Sequence, residues 1–216
     1  FNTEDSDHGG FFFYHFVVLL IGCFPASIFF IPAHRKSLND TPYQLFTKKW
    51  MLFLFWTVLI LFSIVKTKIV HYSSMCYFPL TYLAAYSIHH MINEGKKLNR
   101  ILFYTGVTLI ILVGLAFIII PHIELFKDKI ISSGIIKDDF AMASLATRVK
   151  WGGYEFLPGC LFLCGALFFL IKFYRRNAIK MVFGLFVTTL LSTWLLTLML
   201  SPKIEAYSQG PVIEFY

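Results

Sequence analysis

Six long apolar runs, separated by short polar stretches, set the pattern of this chain. They fall at approximately 11–31, 50–65, 72–91, 101–120, 153–171 and 181–200. Runs of this kind are close to the ~20 residues a helix needs to cross the hydrocarbon of a bilayer. The pattern predicts an all-α integral membrane fold with six transmembrane helices over residues 1–202. The run 50–65 is short, about 24 Å at 1.5 Å per residue, so it must borrow length from its flanks or sit in thinned bilayer. Pro25 lies inside the first run, where neighbouring helices can satisfy the carbonyl it frees. Gly106 and Gly114 in the fourth are points where helices could approach closely.

The polar stretches differ from one another. Residues 1–10 are acidic and turn-prone. Residues 121–151 make the longest loop, in which Phe140, Ala143, Ala146 and Val149 recur at helical spacing after Asp138 and Asp139. That spacing predicts an amphipathic helix on the membrane surface. Residues 203–216 read as the start of an outer soluble segment. The chain opens at Phe1 and ends at Tyr216 without the features of a complete protein, so it is read as a piece of a longer one, lacking an N-terminal half.

Composition agrees with a membrane protein: 57% hydrophobic residues and only 14% charged, against about a quarter charged in soluble domains. The net charge of +7 would suggest nucleic acid in a soluble protein, but here the cations gather in short loops. The loops 33–49, 93–100 and 172–180 hold 11 Lys/Arg and only Asp40 and Glu94 as acids, against 8 Lys/Arg and 9 acids on the other side. The basic loops are therefore expected in the cytoplasm, and both ends of the chain outside. The four cysteines all lie in apolar runs and read as small hydrophobes.

One junction goes against the orientation bias. Lys66-Thr-Lys-Ile-Val-His-Tyr72 joins the second and third spans on the outer side and carries two of its cations. A tight outer turn needs no lysine, whereas an anionic headgroup at the surface does, because an ammonium brings full charge and three donors. Snorkelling lysines that serve only as anchors are the competing reading, and Tyr72 could equally be an interfacial aromatic anchor. Other candidates carry less. His8, His71 and His122 lie on the outer side and could share a divalent metal, without ligand spacing to support it. His89 and His90 read as solvated at the cytoplasmic interface. Glu155, near the start of the fifth span, reads as a partner of Arg148 or Lys150. The 25 phenylalanines read as lipid-facing packing.

Lys66-Thr-Lys-Ile-Val-His-Tyr72, followed by Phe78-Pro-Leu-Thr-Tyr-Leu-Ala-Ala85, resembles the lysine–lysine–tyrosine–proline signature of the polyprenyl-phosphate-dependent membrane glycosyltransferases. These belong to the GT-C superfamily and include the aminoarabinose transferase of lipid A and the protein O-mannosyltransferases. Asp7-His-Gly-Gly-Phe-Phe-Phe-Tyr-His15, entering a helix with Gly22 and Pro25, is similar to that family's outer loop. The two segments cover the first 90 residues; the remainder matches in topology alone. The resemblance implies a larger multi-helix fold in a bacterial inner membrane, with its site at the outer surface. The sugar would pass, with inversion, from a polyprenyl-phosphate donor to a lipid or protein acceptor, and no nucleic acid is involved. It places the donor phosphate on Lys66, Lys68 and Tyr72, with His71 beside them and His8 near a position where some members carry arginine. The family's catalytic acid lies in an earlier outer loop, so no catalytic residue is expected in this span and no cofactor is certain. The alternative is a lipid-headgroup flippase or transporter half using the same lysines. Such a protein should carry polar residues at midplane, and the six runs carry almost none.

Overall fold

The computed structural model describes residues 11–35, 40–65, 69–132, 147 and 149–208. The described residues are helical, with no strand among them. The α-helices are α1 (Tyr14–Gly22), α2 (Ala26–Phe30), α3 (Pro42–Ile64), α4 (Tyr77–Asn93), α5 (Arg100–Ile119), α6 (Ile123–Ser132), α7 (Leu157–Phe173) and α8 (Ala178–Ser208). Short 3₁₀ segments stand at Ile31–His34, Val70–Cys76 and Ile120–His122.

The all-α expectation fits and the apolar helices are compatible with a membrane, while six spans are not shown among the described residues. Among the described residues, three helices are long and apolar enough to cross a bilayer: Pro42–Ile64, Arg100–His122 and Ala178–Tyr207. A fourth counts only if α1 and the Ala26–His34 helix, bent by 110° from one another, are taken as one span. The most apolar windows of Pro42–Ile64 and Arg100–His122 are each only 22% buried. Their apolar side chains therefore face outward, as lipid-contacting helices require.

Each departure from the expected spans has a local cause. The first run breaks at Cys23–Pro25, because Pro25 has no N–H to give Ile21. The freed carbonyls are satisfied locally, by the break itself and by the first turn of α2. Phe24 N–H donates to the Ile21 carbonyl at 3.2 Å and the Ser27 hydroxyl to that of Leu20 at 2.7 Å. The second run gains length at its N-terminal flank. Thr41 and Gln44 form a capping box and Pro42 occupies the first turn, so the helix starts at residue 42 rather than 50. This places Lys48 and Lys49 on a helix instead of in a loop. The third run opens as the 3₁₀ segment Val70–Cys76 before α4 begins. The fifth shortens to the 17 residues of α7, and the sixth extends to the 31 of α8. Within the expected loop 121–151, Ile123–Ser132 is helical. The amphipathic helix expected around Phe140 to Val149 falls almost wholly outside the described residues.

The described residues form two compact units, one within 1–106 and 172–182, the other within 107–171 and 183–216. In the first, α2 is buried over its whole length and packs on α4. Phe29, Leu80, Leu83 and Ala84 are its core, and the Phe30 ring meets that of Phe55 from α3 at 4.3 Å. In the second, Ile110, Phe162, Ala166, Leu170 and Leu185 are buried. Gly114 lies against Leu163, so that an added Cβ would come within 3.0 Å of its side chain.

Candidate functional site

The residues expected to hold a phosphate are divided by what the structure describes. Lys66, Lys68 and His8 lie outside the described residues. His71 and Tyr72 stand in the 3₁₀ segment Val70–Cys76, His71 exposed and Tyr72 half-buried. The Tyr72 ring stacks on Phe62 at 5.0 Å and 25°, and its backbone N–H closes a turn on the Ile69 carbonyl at 3.1 Å. That stacking fixes the ring at the C-terminal end of α3. Ser73, buried, donates its hydroxyl to the Val70 carbonyl at 2.7 Å. The segment packs against α1, α3 and α4, so elements that carry parts of the two stretches resembling the family touch one another. On α1, His15 is fully buried, its ring edge-on to Tyr14 at 5.2 Å.

Among the described residues, no group of three or more His, Cys, Asp or Glu side chains is placed to hold a metal ion. All four cysteines are free thiols; Cys76 is buried, with its sulfur 3.8 Å from the Phe55 carbonyl.

A second polar constellation was not expected. It lies at the other end of α3, about 24 Å along the helix from Ile64 to Lys48 at 1.5 Å per residue. Asp40 and Lys48 are both 3% exposed and 3.7 Å apart. The Tyr86 hydroxyl reaches both Asp40 carboxylate oxygens, at 2.5 and 2.6 Å. Lys48 donates to the Arg35 carbonyl at 2.6 Å and to the Tyr86 oxygen at 3.2 Å. His90 has one ring nitrogen 3.0 Å from Asp40 and the other 2.7 Å from Glu94, and Lys96 pairs with Glu94 in turn. His90 is thus part of a network, half-buried, rather than solvated; His89 alone is exposed. The signal available in sequence was the Tyr86–His90–Glu94 spacing, which puts three polar groups on one helix face.

Glu155 also has other partners than Arg148 or Lys150. Arg148 lies outside the described residues. The carboxylate accepts from the Gly152 N–H at 2.6 Å and pairs with Lys203 at 3.7 Å. Lys203 donates to the Lys150 carbonyl as well, at 2.5 Å. Burial works against the Glu155 charge, but the N–H groups of Gly152, Glu155 and Gly153, with Lys203, outweigh it and hold the carboxyl below its usual range.

No family model, no curated protein and no solved structure matches this chain.

Proposed function

We propose that this chain is part of the membrane domain of a polyprenyl-phosphate-dependent glycosyltransferase of the GT-C type. In this reading it lies in a bacterial inner membrane with both ends outside and crosses six times, the broken and shorter helices completing their spans within a larger assembly. Lys66, Lys68 and Tyr72, flanked by His71 and His8, hold the donor phosphate at the outer surface. The observation that carries the reading is the packing of α1 on Val70–Cys76. The two stretches of sequence that resemble the family are separated by some fifty residues, yet elements that carry parts of both are in contact. A site needs such a meeting.

The chemistry gives the lysines a reason. An acceptor nucleophile attacks the sugar carbon from the face opposite the phosphate. The carbon–oxygen bond breaks and its electron pair passes to the phosphate. The acceptor proton goes to a carboxylate base outside this span. Negative charge grows on the phosphate oxygens in the transition state, and fixed cations in a dry setting stabilise it more than water would. Tyr72, pinned by Phe62, can donate to a phosphate oxygen.

Lys66→Ala with Lys68→Ala in the full-length protein is expected to lower sugar transfer by on the order of 10²-fold or more. Expression and membrane insertion should be unchanged. Transfer of radiolabelled sugar at the parental rate by the inserted double variant would end the phosphate-site reading.

A further inference from the structure

Tyr86 and His90, which hold the Asp40 carboxylate, also line a cavity of about 460 Å³. Its polar wall comes from Arg35, Tyr86, His90 and Lys97, and its apolar wall from Phe29 and Leu102 among others. A neighbouring cavity of about 250 Å³ shares Lys96 and Lys97 and adds Arg175 and Arg176. Cations from three separate segments therefore converge around Leu98. All of these residues belong to the first unit.

The local acids do not neutralise this charge. Asp40 is engaged by Lys48, Tyr86 and His90, and Glu94 by His90 and Lys96. No carboxylate among the described residues lies within ion-pair distance of Arg35, Lys97, Arg175 or Arg176. Four exposed cations thus face two adjoining hollows, with no counter-charge of their own among the described residues.

We propose that these hollows bind the phosphate headgroup of an anionic phospholipid. A concave basic site takes a phosphate well, since guanidinium groups grip its oxygens in pairs. A bare anion would account for the cations but not for the apolar surface beside them. Ile101, on the rim of the larger hollow, is 71% exposed, and Ile179, on the rim of the smaller, is 58% exposed. A lipid answers both: its phosphate meets Arg35, Lys97 and Arg176 while its acyl chains cover the isoleucines. Basic hollows between helices on the cytoplasmic side of a membrane recognise lipids in this way. The site stands apart from the Lys66–Tyr72 junction, at the opposite end of α3, and does not depend on the sugar-transfer reading.

The test uses full-length protein reconstituted in equal parts phosphatidylglycerol and phosphatidylcholine, then released into detergent. Native mass spectrometry counts the lipid retained as phosphatidylglycerol is titrated. The parent should keep phosphatidylglycerol in preference to phosphatidylcholine. Lys97→Ala, Arg176→Ala and Arg35→Ala should each weaken retention about fivefold, the factor equal to ~1 kcal/mol per surface cation. All three side chains are exposed, so the fold should survive their loss. Lys49, exposed near the same end of α3 but lining neither hollow, is the control, and Lys49→Ala should leave retention unchanged. Equal retention of both lipids, or an equal loss with Lys49→Ala, would overturn the site in favour of diffuse surface attraction. Displacement of the lipid by millimolar inorganic phosphate would overturn the lipid as its occupant.

Discussion

Around Asp40, the first unit ties its elements together with side chains: Lys48 from α3, Tyr86 and His90 from α4, and the Arg35 carbonyl all converge there. In the second unit, helices approach closely at glycines. A Cβ on Gly159 would meet the Ile118 backbone nitrogen at 2.8 Å, and one on Gly165 would meet the Thr188 methyl at 2.7 Å. In a bilayer, lipid is as apolar as leucine, so helices gain little from simply burying apolar surface against one another. Polar groups that bond across helices and small residues that let backbones approach are the two remedies. The first is seen around Asp40 in the first unit, the second at the glycines of the second unit. Beside the polar remedy lies a hollow with charge at its edge, lined by Tyr86 and His90.

The largest expected effect tests the polar remedy. Lys48→Ala leaves the buried Asp40 carboxylate without its ammonium, and breaking a buried pair by removing one partner costs about 3–5 kcal/mol. Thermal unfolding of the solubilised full-length protein should show it as a large fall in midpoint. Asp40→Leu combined with Lys48→Met removes both charges and should recover much of the loss. A single variant as stable as the parent would mean that α3 and α4 are held by the apolar contacts of Phe29, Phe30, Phe55 and Leu80 alone.

Gly159→Ala tests the other remedy. The nearest atoms to the new methyl include the Ile118 nitrogen and, at 2.9 Å, the Phe117 carbonyl carbon. Backbone cannot turn away as a side chain can, so α5 and α7 must separate, at a cost of typically 1–3 kcal/mol. Gly114→Ala meets only the Leu163 side chain and Cα, at 3.0 Å or more, and should cost less. Equal effects in the two variants would remove the distinction between backbone and side-chain contact.

How far the sequence could be read follows the same division. The uniform aliphatic run 101–120 became the helix Arg100–Ile119 almost unchanged, because nothing within it competes with helix. The start of α3 was legible too, in Thr41-Pro42-Tyr43-Gln44, but Lys48 and Lys49 weighed as loop residues and hid the cap. In fact Lys48 is buried because Asp40 and the Arg35 carbonyl receive it. The Asp40–Tyr86 contact spans 46 positions, and no local pattern encodes a partner so distant. The break at Pro25 could be read as a break, but not its 110° angle, which the packing of α2 on α4 accompanies. For the phosphate site, the sequence supplies Lys66 and Lys68 themselves, while the structure supplies only their neighbours Tyr72 and α1.

The smallest expected effect asks whether the second unit has polar glue of its own. Glu155 is 4% exposed and sits in the turn ahead of α7, where Gly153 takes φ +83°. That left-handed conformation suits glycine and lets the turn's N–H groups aim at the carboxylate. Because these groups and Lys203 favour the charged form, the folded carboxyl holds its proton less tightly than at its ordinary value of 4.5. Its contribution is then fully present above that value and is lost as pH falls through the lower folded one. Glu155→Gln keeps the shape and an acceptor oxygen but loses the charge, so it should cost about 1 kcal/mol at neutral pH. In acid, where the parent is protonated too, the two melting curves should merge. A gap that persists there would assign Glu155 to packing and leave the second unit held by its glycines.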